Sequence, residues 1–303
     1  MKKGIIYRLS PFNNETDMPA LQYAIKKVLA FILIYGVSAV LGEGIIIGIL
    51  YAMGYDPLQG AMPVGEISEL LFYYGFLVFS IVTILYCRFI EKKKIKLIGF
   101  SGNPIEYLVG ALLAVSLLFL IMGIGCISGT VRFHGLSTDI NIKSFWLWIL
   151  AFGIQGATEE IMCRGFLLNA LKTRMSIQMA ILISSTAFVF PHLSTLVEAD
   201  LMYAIVGIIN IYLISIIFSL FVLKRNNIWI ACGLHSVWNF VLYTIMGLSL
   251  SGSESMFKGA ILFRIESTNI LNGAQYGIEA SVITTAVLGM MMFIMIKRWK
   301  GRK

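Results

Sequence analysis

Eight apolar runs divide the chain, at about Val28–Met53, Ile67–Arg88, Ile105–Ile127, Phe145–Ala170, Ser176–Val197, Leu201–Leu223, Ile228–Leu248 and Ile278–Ile296. Each is near the roughly 20 residues that a helix needs to cross hydrocarbon. Polar positions gather instead in the first ~24 residues and between Ser249 and Gly277. The pattern predicts an all-α, polytopic membrane protein of about eight transmembrane helices. Residues 9–24 are polar and mixed, and the first apolar run starts only near Val28, which is not the order of a cleavable signal.

Composition agrees. Hydrophobic residues make up 58% of the 303 positions and charged ones 13%, against about 25% charged in soluble domains. A net charge of +8 suggests nucleic acid until it is mapped. Nineteen of the 24 Lys and Arg lie at one set of helix ends. They are Lys2, Lys3, Arg8, Lys26, Lys27, Arg88, Lys92, Lys93, Lys94, Lys96, Lys172, Arg174, Lys224, Arg225, Lys297, Arg298, Lys300, Arg302 and Lys303. The opposite loops hold Arg132, Lys143, Lys258 and Arg264, and only Arg164 lies deep in a span. The positive-inside rule then predicts both termini in the cytoplasm, as an even number of spans requires, and no nucleic-acid partner. Cys87, Cys126, Cys163 and Cys232 form no CxxC and sit in or beside apolar runs, as small buried hydrophobes do. Neither an internal repeat nor a matched pair of broken helices is visible.

Ionisable groups inside hydrocarbon are costly, so each is a functional candidate. Away from span ends they are Glu43, Glu159, Glu160, Arg164, His192 and His235, with Asn239 as a polar companion. Glu160 and Arg164 are four apart and share a helix face; Glu159 points about 100° away, free for another task. His192 follows Pro191, which removes a backbone bond and should kink its helix. His235 and Asn239 again share a face. Each group also has a packing reading, as an ion-paired triad, a buried imidazole or a polar pair that only holds helices together. Together they suit amide hydrolysis: a carboxylate with an imidazole can deprotonate water, and a second imidazole with a carboxamide can stabilise the oxyanion. A Cys163 thiol nucleophile, one turn beyond Glu159, is a rival with no histidine adjacent in sequence. Counting ~1.5 Å per residue puts Glu160 and Asn239 ~15 Å and ~16 Å from the basic ends of their spans. The same count puts His192 at ~24 Å, a turn or more too far outward. Glu43 has no assigned task.

Glu159-Glu160-x-x-x-Arg164-Gly165, then Phe188-x-x-x-His192, then His235-x-x-x-Asn239 resembles the CAAX-protease and bacteriocin-processing (Abi) family of intramembrane proteases. The resemblance covers roughly residues 142–245 and includes Asn227-Ile228-Trp229 and Gly233-Leu234-His235 on the approach to the last motif. It divides the chain into 1–141, three accessory helices after an N-terminal segment; 142–248, a four-helix protease core; and 249–303, outer loop, last helix and basic tail. It implies a cavity open toward the cytoplasm, Glu159 activating water with His192, and an oxyanion site of His235 and Asn239, with Glu160 and Arg164 in support. A metal-free mechanism is favoured; a zinc enzyme would use Glu159, His192 and His235 as ligands. The implied partners are membrane lipid and a membrane-associated peptide or lipidated protein. The short loops suggest a bacterial cytoplasmic membrane. Two other classes remain: a non-proteolytic immunity or scaffold protein, and a proton- or ion-coupled transporter.

Overall fold

The computed structural model describes residues 4–137, 141–197, 199–266 and 268–300, without the side chains of Gln275 and Lys300. Of the basic residues counted above, Lys2, Lys3, Arg302 and Lys303 lie outside the described residues.

Every apolar run is a helix. After a short α1 (Ile5–Leu9) come α2 (Ala20–Ala52), α3 (Glu66–Ile90) and α4 (Glu106–Ile127). Helix α5 begins as Ile142–Glu160, widens to a π-helix over Ile161–Leu168 and closes with Asn169–Leu171. Helices α6 (Ile177–Leu196), α7 (Leu201–Arg225), α8 (Trp229–Ile245) and α9 (Val282–Lys300) complete the bundle. Polar side chains mark the starts: Asn141 accepts from the Lys143 and Ser144 amides, and Ser176 from that of Met179. Among the described residues six helices are long and apolar enough to cross a membrane, namely α2, α3, α4, α6, α7 and α9. The chain is an integral, multi-pass membrane protein. The two helices outside that group, α5 and the shorter α8, carry most of the polar cluster, which lowers the one's hydropathy and accompanies the other's shortness.

Glycines set the tightest crossings. A Cβ on Gly233 of α8 would stand 2.0 Å from the Tyr107 carbonyl of α4, and one on Gly110 would stand 2.1 Å from the Ile230 carbonyl. On the other side of α8, a Cβ on Gly156 of α5 would lie 2.6 Å from Ser236 Oγ. Bare backbones therefore meet on both flanks of α8, the close approach that small residues permit between membrane helices. From Ile230 to Thr244 only Val237 escapes full burial. The first turn of α3 is tied to the same centre: Trp148 Nε1 donates to Glu66 (3.0 Å), and the Tyr243 hydroxyl donates to Glu69.

One element has no counterpart in the helical pattern. Val131–Leu136 (β1) and Ile261–Ile265 (β2) form a two-stranded antiparallel sheet with an irregularity between Phe133 and Gly135. It joins the loop after α4 to the long segment between α8 and α9 at the sparsely charged end.

Candidate active site

The two adjacent glutamates of α5 face different surroundings. Glu160 is fully buried, and its Oε1 accepts from Arg164 at 2.9 Å and from His235 Nδ1 at 3.1 Å. Arg164, also fully buried, donates from its other terminal nitrogen to Ser215 of α7, to Oγ at 2.6 Å and to the carbonyl at 3.0 Å. Its guanidinium lies over the rings of Phe188 (4.5 Å) and Phe218 (5.1 Å). The pairing expected from the four-residue spacing is present, and it draws α5, α7 and α8 together. Because Oε1 of Glu160 receives two donors, the Nδ1 of His235 is the protonated nitrogen.

Glu159 turns the other way, into a cavity of about 370 Å³. His192, His235 and Asn239 line the same cavity. Glu159 Oε1 accepts from Gln155 Nε2 at 2.6 Å, and Gln155 Oε1 accepts from Asn239 Nδ2 at 2.8 Å. Oε2 of Glu159 has no hydrogen-bond partner and lies 3.9 Å from His235 Nε2, beyond direct bonding. The Phe218 ring stacks on His235 at 5.2 Å with an interplanar angle of 19°.

His192 reaches this cavity although its axial count put it too far out. Helix α6 starts at Ile177, close to the expected position, so a displaced start is not the reason. Pro191 has no N–H, and the chain tightens into a 3₁₀ turn over Phe190–His192. A rise counted along separate helices also ignores their crossing. The Phe188 ring bridges the two imidazoles, 5.1 Å from His192 and 5.6 Å from His235. His192 Nδ1 lies 2.9 Å from the Phe188 carbonyl, an acceptor, so Nδ1 carries the proton and Nε2 is left for the cavity.

The structure bears on three further points. First, where the resemblance implies an opening toward the cytoplasm, the loop residues lining the cavity, Leu250, Ser251, Ser253 and Glu279, all belong to the segment at the sparsely charged end. No described loop at the basic end contributes. The physical reason is packing below the site. All eight residues of the π-helical stretch are buried, and the Ile95–Ile98 turn presses on it so closely that a Cβ on Gly165 would be 2.5 Å from the Ile98 carbonyl. Second, Cys163 is buried in that stretch and is not part of the cavity wall. Third, Glu43 neither lines the cavity nor has a side-chain partner among the described residues; it is exposed on α2. As for zinc, no group of three or more His, Cys, Asp or Glu among the described residues stands at metal-holding spacing, so Glu159, His192 and His235 do not form a ready ligand set.

Gln155 and Ser215 escaped sequence reasoning. Gln155 sits one turn before Glu159 on the same face, a spacing that could have revealed it; Ser215, on another helix, left no such signal.

Residues 141–241 match the family model described as Type II CAAX prenyl endopeptidase Rce1-like. Over that third the chain is similar to the CAAX-protease and bacteriocin-processing family, a family of membrane proteases of CAAX type. None of the curated proteins matches it.

Proposed function

We propose that the protein is an intramembrane endopeptidase that hydrolyses a peptide bond in a membrane-associated peptide or lipidated protein by glutamate-activated water. The observation that carries this reading is the split state of Glu159. One oxygen is fixed by Gln155, and the other is buried, without a partner, in a cavity that also holds two imidazoles and a carboxamide. A carboxylate so oriented is a base awaiting a proton donor.

In the proposed reaction, water held between Glu159 Oε2 and His192 Nε2 gives its proton to Glu159 as its oxygen bonds to the scissile carbonyl carbon. The carbonyl oxygen becomes an oxyanion that accepts from the second N–H of Asn239 and from Nε2–H of His235. His235 must carry both ring protons to donate from Nε2 while Nδ1–H holds Glu160. With it cationic, Glu159, Glu160, Arg164 and His235 sum to zero charge, the state a water-poor site favours. The proton on Glu159 then passes to the departing nitrogen as the C–N bond breaks, and Glu159 returns as carboxylate. No metal enters these steps. The setting we propose is a bacterial cytoplasmic membrane with the basic face and both termini in the cytoplasm, and eight spans in all, α5 and α8 included.

The test uses the purified protein in lipid nanodiscs with a library of internally quenched apolar peptides. Wild-type protein should release fluorescence and E159Q, equally folded, should not. Cleavage by both, or by neither, refutes the assignment; uptake of a solute by reconstituted vesicles would favour the transporter class instead.

A further inference from the structure

The cavity extends past the reacting groups to Glu279, on the segment that closes its outer side. Glu279 Oε1 accepts from Trp238 Nε1 at 2.9 Å; Oε2 accepts from the Ser251 amide at 2.6 Å and from Ser251 Oγ at 3.2 Å. All three donors are neutral. No lysine or arginine pairs with this carboxylate among the described residues, and none lines the cavity. Glu279 is therefore a carboxylate held only by neutral donors, at the wall of a cavity that is otherwise largely aromatic and apolar. Glu279 lines the same cavity as Glu159, His192, His235 and Asn239, so it is not on a remote surface.

Building on the protease reading, we propose that Glu279 is a specificity-determining residue that selects substrates bearing a cationic group within a few residues of the cleaved bond. Lysine, arginine or a free amino terminus on an otherwise apolar peptide has the right chemistry. A carboxylate placed beside Glu279 meets like charge. The aromatic side chains Tyr73, Phe76 and Trp238 accommodate the apolar remainder. A clamp that only pinned the outer segment would be indifferent to the charge of the substrate, so the charge itself is what the test must address.

Three internally quenched apolar peptides that differ in one position near the bond, Lys, Gln or Glu, are compared on protein in nanodiscs. The wild type should prefer Lys over Glu by roughly tenfold in kcat/KM, mainly through KM. E279Q should level the three, and E279K should reverse the order. Equal cleavage of all three by the wild type, or an undiminished Lys preference in E279Q, overturns the proposal. Should both variants fail to fold, the substrate decides on the wild type: a Lys advantage lost when that amine is acetylated supports the proposal, and one that survives acetylation overturns it. Binding of the same labelled peptides to E159Q, followed by fluorescence anisotropy, separates the two readings. Lys-selective binding with no cleavage by the wild type sinks the protease assignment alone, whereas cleavage without charge selectivity sinks only the role of Glu279.

Discussion

Two halves of one bundle meet between Glu159 and Glu160, and they are built on opposite terms. Toward the basic end the polar groups are packed: Glu160, Arg164 and Ser215 form a buried hydrogen-bonded chain over a buried π-helical stretch, though Glu160 Oε2 and Arg164 Nε make no hydrogen bond. Toward the other end the polar groups line a cavity, and Oε2 of Glu159 has no partner. The residue type is the same and the positions adjacent. A 100° step around the helix separates a charge that holds the structure from a charge that is free to react.

That contrast can be broken experimentally. The largest effect should come from Glu159→Gln, which keeps volume and removes the base: turnover should fall by about 10⁴ while thermal unfolding in detergent is unchanged. Retained activity would erase the distinction. Asn239→Ala comes next, with kcat down by on the order of 10²–10³ and KM nearly constant, because a donor aimed at developing charge acts in the transition state. A rise in KM alone would make Asn239 a ground-state contact. Glu160→Gln should instead weaken the fold, by about 3 kcal/mol, since Arg164 would be left with an uncompensated buried charge; unfolding by heat measures it, and a variant as stable as wild type would contradict the sealed half. The smallest expected effect is that of chelation, with activity intact after metal removal. One tightly bound zinc per chain, with activity lost on its removal and regained on its return, would overturn the metal-free mechanism and leave the protease standing.

Much of this was legible in the chain. Apolar runs locate α2 to α9, six of them long and apolar enough to span among the described residues, because hydrocarbon leaves helices no alternative partner for their backbones. The four-residue spacing of Glu160 and Arg164 locates their ion pair, since it is a local property of one helix. The distant partners were not legible. Ser215 reaches Arg164 across 51 positions, and β1 meets β2 across a far longer interval; neither pairing has a periodicity to announce it. The side on which the cavity lies was hidden for a related reason: the Ile98–Gly165 contact that closes the basic end is set by packing between segments far apart in sequence.

That contact has a consequence for the traffic of protons. On the proposed reaction Glu159 takes one proton from water and surrenders it to the new amine in every cycle. Ile98 is seated on Gly165, and the stretch from Ile161 to Leu168 is buried beneath the site, so packing closes that side. On that reaction the proton departs on the product. Turnover would then move no net charge across the bilayer, and the enzyme would cut inside an energised membrane without leaking it.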